Sequence, residues 1–456
     1  MTQTPSLVST VIVPGNATDL FPSSGANQNR LGGFGSDLYY DARENVYYAL
    51  VDRGPGGGVI PYQTRVEKFA IDLDPTTGAI QSYKLIGTVP FTIPAGTTLN
   101  GKTYTVETPF NGLNPQRLNG DSTILGLSQD PEGVVVGANG NLFISDEYGP
   151  SIYEFSPTGS FIRAFTEPAN VLPQNGSTPN FAADGSPTTA GRQDNRGYEG
   201  LAISPDGTQL FAVFQDPLQN EGTPNGRRSR NVRIVQFDVA TGHSAAQYIY
   251  PLESLTEIND RIPGTQDDFG STSQGRNIGI SSLTAIGDQQ LLIIERDNRG
   301  VGVDDVLGTA PVGSKRIYQI DLTGATDVSG LTLTSNTLPP EVTPVKKSLF
   351  LDIAAALTSA GQTIPEKIEG VAIGPRLADG SYAMLVATDN DFSVTQDGNN
   401  VQFDVYSNGV DRLQVPIDAA APAGYSLLPS YIYSFKTDPA ALSDYEPAIP
   451  AALPNG

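Results

Sequence analysis

The sequence predicts an all-β fold, a single β-propeller of five or six four-stranded blades with long loops between strands. Two observations predict this class: a hairpin pattern that recurs along the chain, and a composition rich in turn residues. The 456 residues include 49 glycines and 35 prolines, while hydrophobic residues make up 38%. This composition favours many turns over long helices. No change of composition divides the chain, so residues 1–456 are predicted to form one domain.

Five segments of the chain share one pattern. Each has an alternating run, a turn rich in glycine, aspartate or asparagine, and a second β run that ends in an acidic cluster; they begin at Asp37, Glu132, Glu199, Ser281 and Glu369. Alternation around such turns is typical of β-hairpins. Third strands are predicted at 152–155, 232–237, 317–320 and 431–435, and fourth strands at 161–165 and 348–352. Four antiparallel strands repeated around an axis form propeller blades.

The N-terminal run at residues 6–15 stands apart from these repeats. We expect it to be the outer strand that closes the ring with the C-terminal blade. The residues left over between the predicted strands are expected to form insertions, at 86–128, 167–196, 218–230, 256–277, 298–313 and 393–428. The segment 86–128 is also the candidate for a sixth blade.

Charge and residue usage exclude several classes of protein. The formal net charge of −22 opposes binding to nucleic acid. Without cysteine and with His243 as the one histidine, the chain has no thiolate nucleophile and no multi-histidine metal site. No apolar stretch approaches the roughly 18 residues of a membrane span. Met1–Thr4 do not resemble a signal peptide, yet the acidic composition fits an exported protein, so we expect a periplasmic or extracellular location with the signal peptide absent from this sequence. The oligomeric state stays open.

Acidic residues recur where the repeats agree, at the start of the first strand and the end of the second. These hairpin partners are expected to gather around one mouth of the central channel. The candidate metal ligands are Asp37, Asp52, Glu132, Asp146, Glu147, Glu199, Asp216, Glu369 and Asp389. Carboxylates so close together repel one another unless protons or cations neutralise them. Oxygen ligands favour Ca²⁺, with Mg²⁺ or Mn²⁺ ranking after it. The alternative is that these side chains only fix their own turns.

Basic residues interleave with these acids. Arg53, Arg196, Arg296 and Lys367 are candidates for holding a phosphate or carboxylate group of a substrate. Alternatively, they only offset the carboxylates. Glu147, Glu199 and Glu295 are the candidates for a catalytic role as ligand or general base. The segment 389–400 begins like a calcium loop but has Val394 and Asn400 where an EF-hand has glycine and glutamate.

Several runs resemble the bacterial family named for the esterase-like activity of phytase, whose members are phytase-like β-propellers. They are Asp130-Pro-Glu-Gly133, Ser145-Asp-Glu-Tyr-Gly-Pro-Ser-Ile-Tyr-Glu-Phe155, Tyr198-Glu-Gly-Leu-Ala202 and Glu369-Gly-Val-Ala372, with Gly112-Leu-Asn-Pro115 upstream. The resemblance covers roughly residues 30–436 and implies hydrolysis of phosphate esters or other esters. A more distant likeness, to calcium-dependent propeller phytases, implies that carboxylate-bound calcium polarises the phosphate while a metal-activated water attacks. This chain lacks the dense basic set expected for phytate.

These observations favour a calcium-dependent hydrolase of small phosphate esters. Two alternatives remain open: a non-catalytic extracellular propeller that uses calcium for rigidity and its loops for binding, and a lactonase-type esterase.

Overall fold

The computed structural model describes residues 4–22, 27–186, 188–417, 419–443, 445 and 447, with the side chain of Arg276 left out. Within these residues, and apart from one inserted sheet and three two-stranded ladders, the strands form five four-stranded antiparallel sheets. The innermost strands of consecutive sheets contact one another, and that of the last sheet contacts that of the first, so they close a ring. This is the arrangement of propeller blades around a central channel, and the all-β propeller class is confirmed.

The first three blades use consecutive strands from the inside outward. Blade 1 consists of β2 (Asp37–Asp41), β3 (Val46–Leu50), β4 (Arg65–Leu73) and β5 (Ile80–Pro90). Blade 2 consists of β10 (Pro131–Val136), β11 (Leu142–Asp146), β12 (Ser151–Phe155) and β13 (Phe161–Ala164). Blade 3 consists of β16 (Tyr198–Ile203), β17 (Gln209–Phe214), β18 (Asn231–Asp238) and β19 (Ser244–Pro251).

The fifth blade joins the two ends of the chain. Blade 4 still uses consecutive strands: β20 (Ile278–Ala285), β21 (Gln290–Asp297), β22 (Lys315–Asp321) and β23 (Lys346–Asp352). Blade 5 consists of β24 (Lys367–Arg376), β25 (Tyr382–Asp389), β30 (Ser430–Lys436) and β1 (Ser6–Val13). The outer strand of blade 5 is therefore the N-terminal strand expected at 6–15, and it pairs antiparallel with β30.

The remaining elements lie in the connections. The segment 86–128 contains the end of β5, two two-stranded ladders and the helix α1 (Pro115–Asn119). In the first ladder β6 (Thr92–Ile93) pairs with β9 (Thr108–Pro109), and in the second β7 (Thr98–Leu99) pairs with β8 (Lys102–Thr103). A ladder of β14 (Gln174–Asn175) and β15 (Thr178–Pro179) follows blade 2. The helices α2 (Leu255–Asn259), α3 (Gln274–Asn277) and α4 (Ile353–Ser359) are short, and none of the described helices is long and apolar enough to cross a membrane.

The chain segment that connects the second and third strands of blade 5 forms an additional small sheet. It consists of β26 (Val394–Gln396), β27 (Gln402–Ser407), β28 (Arg412–Pro416) and β29 (Ser426–Leu427). Its first strand, β26, pairs on one side with β27 and is an edge strand among the described residues. The long insertion predicted at 393–428 is thus a folded sheet that stands beside the channel mouth, next to the 3₁₀ turn Asp391–Ser393.

The hydrophobic core lies between neighbouring blades. Leu50 and Val66 of blade 1 pack in one cluster with Val134 and Ile144 of blade 2. Another cluster joins blades 4 and 5 in the same way. Because alternate residues of each strand enter these layers, the apolar alternation seen in the sequence is the origin of blade packing.

Glycine follows the glutamate at the start of three inner strands because neighbouring inner strands approach closely there. A Cβ atom on Gly133 would lie 2.6 Å from the backbone nitrogen of Leu201, and one on Gly200 would lie 2.7 Å from that of Leu283. No real Cβ atom is accommodated at such distances from backbone. The Glu-Gly repeat therefore combines a mouth-facing acid with the close contact that closes the ring.

We expect Gly200→Ala to lower the free energy of unfolding by about 1–3 kcal/mol, since the added methyl group overpacks the contact with β20. Urea unfolding monitored by tyrosine fluorescence measures it. Gly330→Ala is the matched control, because a Cβ atom there meets no heavy atom within 4 Å. Equal stability of the two variants would contradict this account of the repeat.

Candidate metal centre at the channel mouth

Three glutamates project into one end of the channel because each is the extra residue of a β-bulge. Glu132, Glu199 and Glu369 stand where the pairing of an inner strand with the next strand shifts by one residue. A bulged residue leaves the ladder and re-aims its side chain. All three line the same cavity, whose volume is about 350 Å³.

This cavity, which we call the mouth cavity, is lined mainly by charged side chains. Among the described residues, its acids are Asp52, Glu132, Glu147, Glu199, Asp216, Asp297, Glu366, Glu369 and Asp391, and its bases are Arg53, Arg196, Arg296 and Lys367. The acids outnumber the bases by about two to one. The cavity therefore carries an excess of negative charge that a bound cation would offset.

Each of the four bases is held by a carboxylate. Arg53 pairs with Asp130 at 2.9 Å, and Arg196 pairs with Asp216 at 3.2 Å. Arg296 donates to Glu369. Lys367 contacts Asp391 at 2.6 Å and Asp389 at 3.3 Å. All four predicted substrate-binding residues thus reach the mouth cavity, with their charged groups fixed in place by neighbours.

One group of three acids is suited to a metal ion. Asp130, Glu132 and Glu147 each offer an oxygen atom, and these atoms lie within 4.8 Å of one another. Calcium binds oxygen at about 2.3–2.6 Å, so ligands on opposite sides of the ion stand roughly 5 Å apart. Oε1 of Glu147 is buried and has no hydrogen-bond partner among the described residues. This donor set fits a hard divalent cation, and we call it the acidic triad.

A second group of acids has a lysine as its counter-cation. Asp52, Asp389 and Asp391 offer oxygen atoms within 4.8 Å of one another. The ammonium group of Lys367 stands against two of them. Both groups therefore have basic neighbours: Lys367 contacts two acids of this group, whereas in the acidic triad Arg53 pairs with Asp130 and Arg196 lies 4.0 Å from Oε1 of Glu147.

Burial and mutual repulsion raise the pKa values of several mouth carboxyls. Burial, followed by the charges of Glu199 and Asp130, raises the pKa of Glu132 and that of Glu147 well above the ordinary range. Burial and the charge of Glu369 raise the pKa of Glu199 to about 8. Burial likewise raises the pKa of Asp389 to about 7. Such shifts show that full ionisation of the cavity is costly without a cation.

Two predicted ligands are structural instead. Asp37 is buried below the mouth cavity, between the inner strands. It accepts hydrogen bonds from the backbone of Val134 at 2.8 Å and from the hydroxyl of Ser282 at 2.9 Å. It pairs with Leu50 in the ladder, so the expected approach to Asp52 does not occur. Asp146 accepts hydrogen bonds from the backbone of Asp130 and of Gly149, at 2.6 and 2.7 Å. Asp37 braces three inner strands, and Asp146 holds the loop that carries Glu147.

Glu295 is also placed away from the channel. Its oxygens accept hydrogen bonds from the hydroxyl of Tyr250, the ammonium of Lys347 and the backbone of Glu253, each at 2.6 Å. Adjacent residues of a strand point to opposite faces, so Arg296 enters the mouth cavity while Glu295 lies between blades 3 and 4. The catalytic role predicted for Glu295 does not agree with this position.

We therefore expect Glu295→Gln to affect stability and not metal binding. Loss of the charged partner of Lys347 should lower the free energy of unfolding by about 1–3 kcal/mol, while calcium affinity stays at the wild-type value. Urea unfolding and calcium titration of the same preparation measure both quantities. A drop in calcium affinity with unchanged stability would restore Glu295 to the site.

The structure adds residues that spacing alone did not single out. Asp130 completes the acidic triad, although its position just before Pro131-Glu132-Gly133 was a sequence signal for it. Asp391 joins the second group from the turn after β25. Asn195 accepts a hydrogen bond from Arg53, and Gln215 donates one to Glu199. Asn195 comes from a loop outside the blade of Arg53, where hairpin spacing cannot reveal it, whereas Gln215 directly follows the strand that pairs with the strand of Glu199.

The acidic triad and the mouth glutamates lie in the part of the chain that matches a known family. The sequence profile of the Phytase-like family, described as esterase-like activity of phytase, matches residues 29–392. The chain belongs to the Phytase-like family. Glu132, Glu147, Glu199 and Glu369 of this phytase-like protein all fall within the matched range. Membership agrees with the β-propeller that its own sheets form.

Individual relatives are distant. An uncharacterized secreted protein of Arthroderma benhamiae is 29% identical over 306 residues, which cover 58% of this chain and 59% of that protein. Among solved structures, a luciferin-regenerating enzyme is 11% identical with a TM-score of 0.30, covering 93% of this chain and 95% of that one. A streptogramin B lyase is 10% identical with a TM-score of 0.29, covering 93% and 98%. These TM-scores carry no argument about the fold, so the fold assignment of the phytase-like protein depends on its own sheets.

Proposed function

We propose that this phytase-like protein is a calcium-dependent hydrolase of small phosphate esters that acts in the mouth cavity. The observation that carries the proposal is the acidic triad: Glu132 and Glu147 line the same cavity as four positioned cationic side chains, and the buried Oε1 of Glu147 accepts no hydrogen bond among the described residues. A calcium ion held by Asp130, Glu132 and Glu147 would polarise the ester oxygen and lower the pKa of a water molecule.

The cationic side chains supply the phosphate contacts. Arg53, Arg196 and Arg296 line the cavity from blades 1, 3 and 4, and Lys367 lines it from blade 5. Their ion pairs hold them in place, so little conformational entropy is lost when an anion binds. Guanidinium groups suit phosphate because they present paired N–H donors.

Water is the attacking group in this proposal. Among the described residues that line the mouth cavity there is no serine, threonine, cysteine or histidine. Glu199 stands among the arginines with one oxygen, Oε1, accepting a hydrogen bond from Gln215. We assign to Glu199 the role of general base, taking the proton of the attacking water at Oε2, since a pKa of about 8 makes a carboxylate more basic than usual.

An extracellular location is part of the proposal. It is supported by the secreted relative and by the acidic composition. Calcium is abundant outside cells and would fill even a site of modest affinity, as in extracellular calcium-binding modules.

Turnover of chromogenic esters tests the function. We expect hydrolysis of 4-nitrophenyl phosphate or bis(4-nitrophenyl) phosphate that stops on chelation, returns with Ca²⁺ and returns less with Mg²⁺ or Mn²⁺. Elemental analysis of the same samples counts the bound metal. Calcium binding without turnover of any ester would favour the non-catalytic propeller, and turnover of lactones alone would favour the lactonase.

A further inference from the structure

A second cavity opens directly from the mouth cavity. Its volume is about 310 Å³, and Asp52, Arg53 and Asp391 line both spaces. We call this second space the side groove. It runs between the loop that follows Arg53 and the edge strand β26, so a ligand held by the arginines of the mouth has room to extend sideways past Arg53.

One wall of the side groove is bare backbone. Gly54, Gly56 and Gly57 line it, with φ angles of 86°, 88° and 59°. A Cβ atom on Gly57 would meet no heavy atom within 4 Å. Positive φ at successive glycines turns the loop so that peptide groups, without side chains, face the groove.

The opposite wall carries uncharged polar side chains. Thr395, Gln396 and Gln402 line it from the inserted sheet. Gln402 is 9% exposed, and its Nε2 donates to Gln396 and to the backbone of Asn400. The Oε1 atom of Gln402 has no hydrogen-bond partner among the described residues. It faces Gly56, because a Cβ atom built on Gly56 would lie 2.9 Å from it. A buried amide oxygen without a donor is costly, so Gln402 is ready to accept a hydrogen bond from a ligand.

Charge decides which kind of ligand suits this groove. Arg53 is the one basic residue among the described residues that line it, and it is already paired with Asp130. The carboxylates Asp52, Asp304 and Asp391 also line the groove. A second phosphate group would therefore be repelled, whereas hydroxyl groups can donate to carboxylate and amide oxygens and accept from the peptide groups.

Resting on the proposed function, we infer that the side groove binds an uncharged hydroxylated part of the substrate, such as a sugar ring, while its single phosphate group occupies the mouth cavity. The preferred substrates are then monophosphate esters of sugars or comparable alcohols, and not densely phosphorylated compounds.

Catalysis gives the first arm of the test. In excess Ca²⁺, kcat/KM for glucose 6-phosphate should exceed that for methyl phosphate by at least about tenfold, as two or three added hydrogen bonds would produce. Gly57→Asn should abolish this advantage and leave methyl phosphate unchanged, because asparagine tolerates a positive φ while its side chain enters the open space of the groove. Gly176→Asn is the matched control, with a φ of 65° and equally open surroundings outside both cavities.

Binding gives an independent arm. Saturation-transfer NMR with methyl glucoside, which carries no phosphate, should give a transfer signal with the wild type and with Gly176→Asn, and none with Gly57→Asn or Gln402→Leu. If esters are hydrolysed but the glucose advantage is absent, or survives in Gly57→Asn, the inference is overturned and the proposed function stands. If no phosphate ester is hydrolysed, the proposed function fails, and the NMR arm alone decides the groove. A wild-type signal that disappears in Gly57→Asn then supports the inference, and a wild type without a signal overturns it.

Discussion

Replacing Glu147 by glutamine is expected to abolish calcium binding at the mouth and to reduce phosphate ester turnover by at least about 100-fold. Glu147 belongs to the acidic triad, and its Oε1 is buried without a hydrogen-bond partner among the described residues. An amide keeps the shape of the side chain but removes the negative charge that a calcium ion requires. Calcium titration and turnover of 4-nitrophenyl phosphate measure the two losses.

The same substitution should have the opposite effect on the metal-free protein. Burial and the charges of Glu199 and Asp130 already oppose ionisation of Glu147, so removing that charge relieves repulsion. In the presence of a chelator, Glu147→Gln should therefore melt at a higher temperature than the wild type, and added calcium should no longer raise its melting temperature. This reversal distinguishes a metal ligand from a residue that merely supports the fold.

Glu167→Gln is the matched control for Glu147→Gln. Glu167 is half-buried, burial raises its pKa to about 8, and it accepts a hydrogen bond from Tyr198 at 2.6 Å. It does not line the mouth cavity. Calcium affinity should stay at the wild-type value in this variant. Equal loss of calcium in both variants, or retention in both, would remove the acidic triad from the proposal.

The metal-free protein is expected to become less stable as the pH rises from about 4.5 to about 8. The pKa of Glu199 rises from its ordinary 4.5 to about 8 on folding. Below pH 4.5 the carboxyl is protonated in both states, and between 4.5 and 8 only the folded state keeps the proton. Stability is thus fully present below 4.5 and is lost as the pH rises through 8. Glu366 and Asp389, each with a pKa of about 7, act in the same direction.

The expected effect is large because each unit of pKa displacement corresponds to about 1.4 kcal/mol. At constant ionic strength, the melting temperature of chelator-treated protein should be at least about 5 °C lower at pH 8 than at pH 5. Calcium should flatten this slope, since it binds the deprotonated carboxylates. Glu199→Gln should also flatten it without calcium. A melting temperature that stays constant or rises between pH 5 and pH 8 in the metal-free wild type would contradict the charge account of the mouth.

Local patterns explain how much of the fold could be predicted from sequence. β-Branched runs such as Val134–Val136 and turns such as Ala138-Asn-Gly-Asn141 depend on neighbouring residues only, so the hairpins were visible without tertiary information. The N-terminal strand was recognisable as a β run with no local partner. Its pairing with Ser430–Lys436 follows because a ring leaves one strand position for it.

The direction of each acidic side chain was less predictable. Asp37, Glu132 and Glu199 all begin an inner strand, yet only the two glutamates enter the mouth, because a bulge shifts each of them by one residue and Asp37 has none. A bulge depends on the partner strand and leaves no reliable local trace. Glu295 was misassigned for a related reason, since strand alternation turns it away while Arg296 faces the cavity.

By itself, the sequence determined the propeller class, the family and the composition of the mouth, since hairpin alternation, the Glu-Gly starts and the acidic excess are local properties of the chain. Only the tertiary structure decided that Asp130 joins Glu132 and Glu147, that Lys367 stands between Asp389 and Asp391, and that Gln402 faces the glycine loop. The first two contacts each lie at the open end of a single hairpin, where a bulge or the turn that follows decides which side chains meet. The contact of Gln402 with the glycine loop joins segments far apart in the chain, and no short-range pattern encodes it.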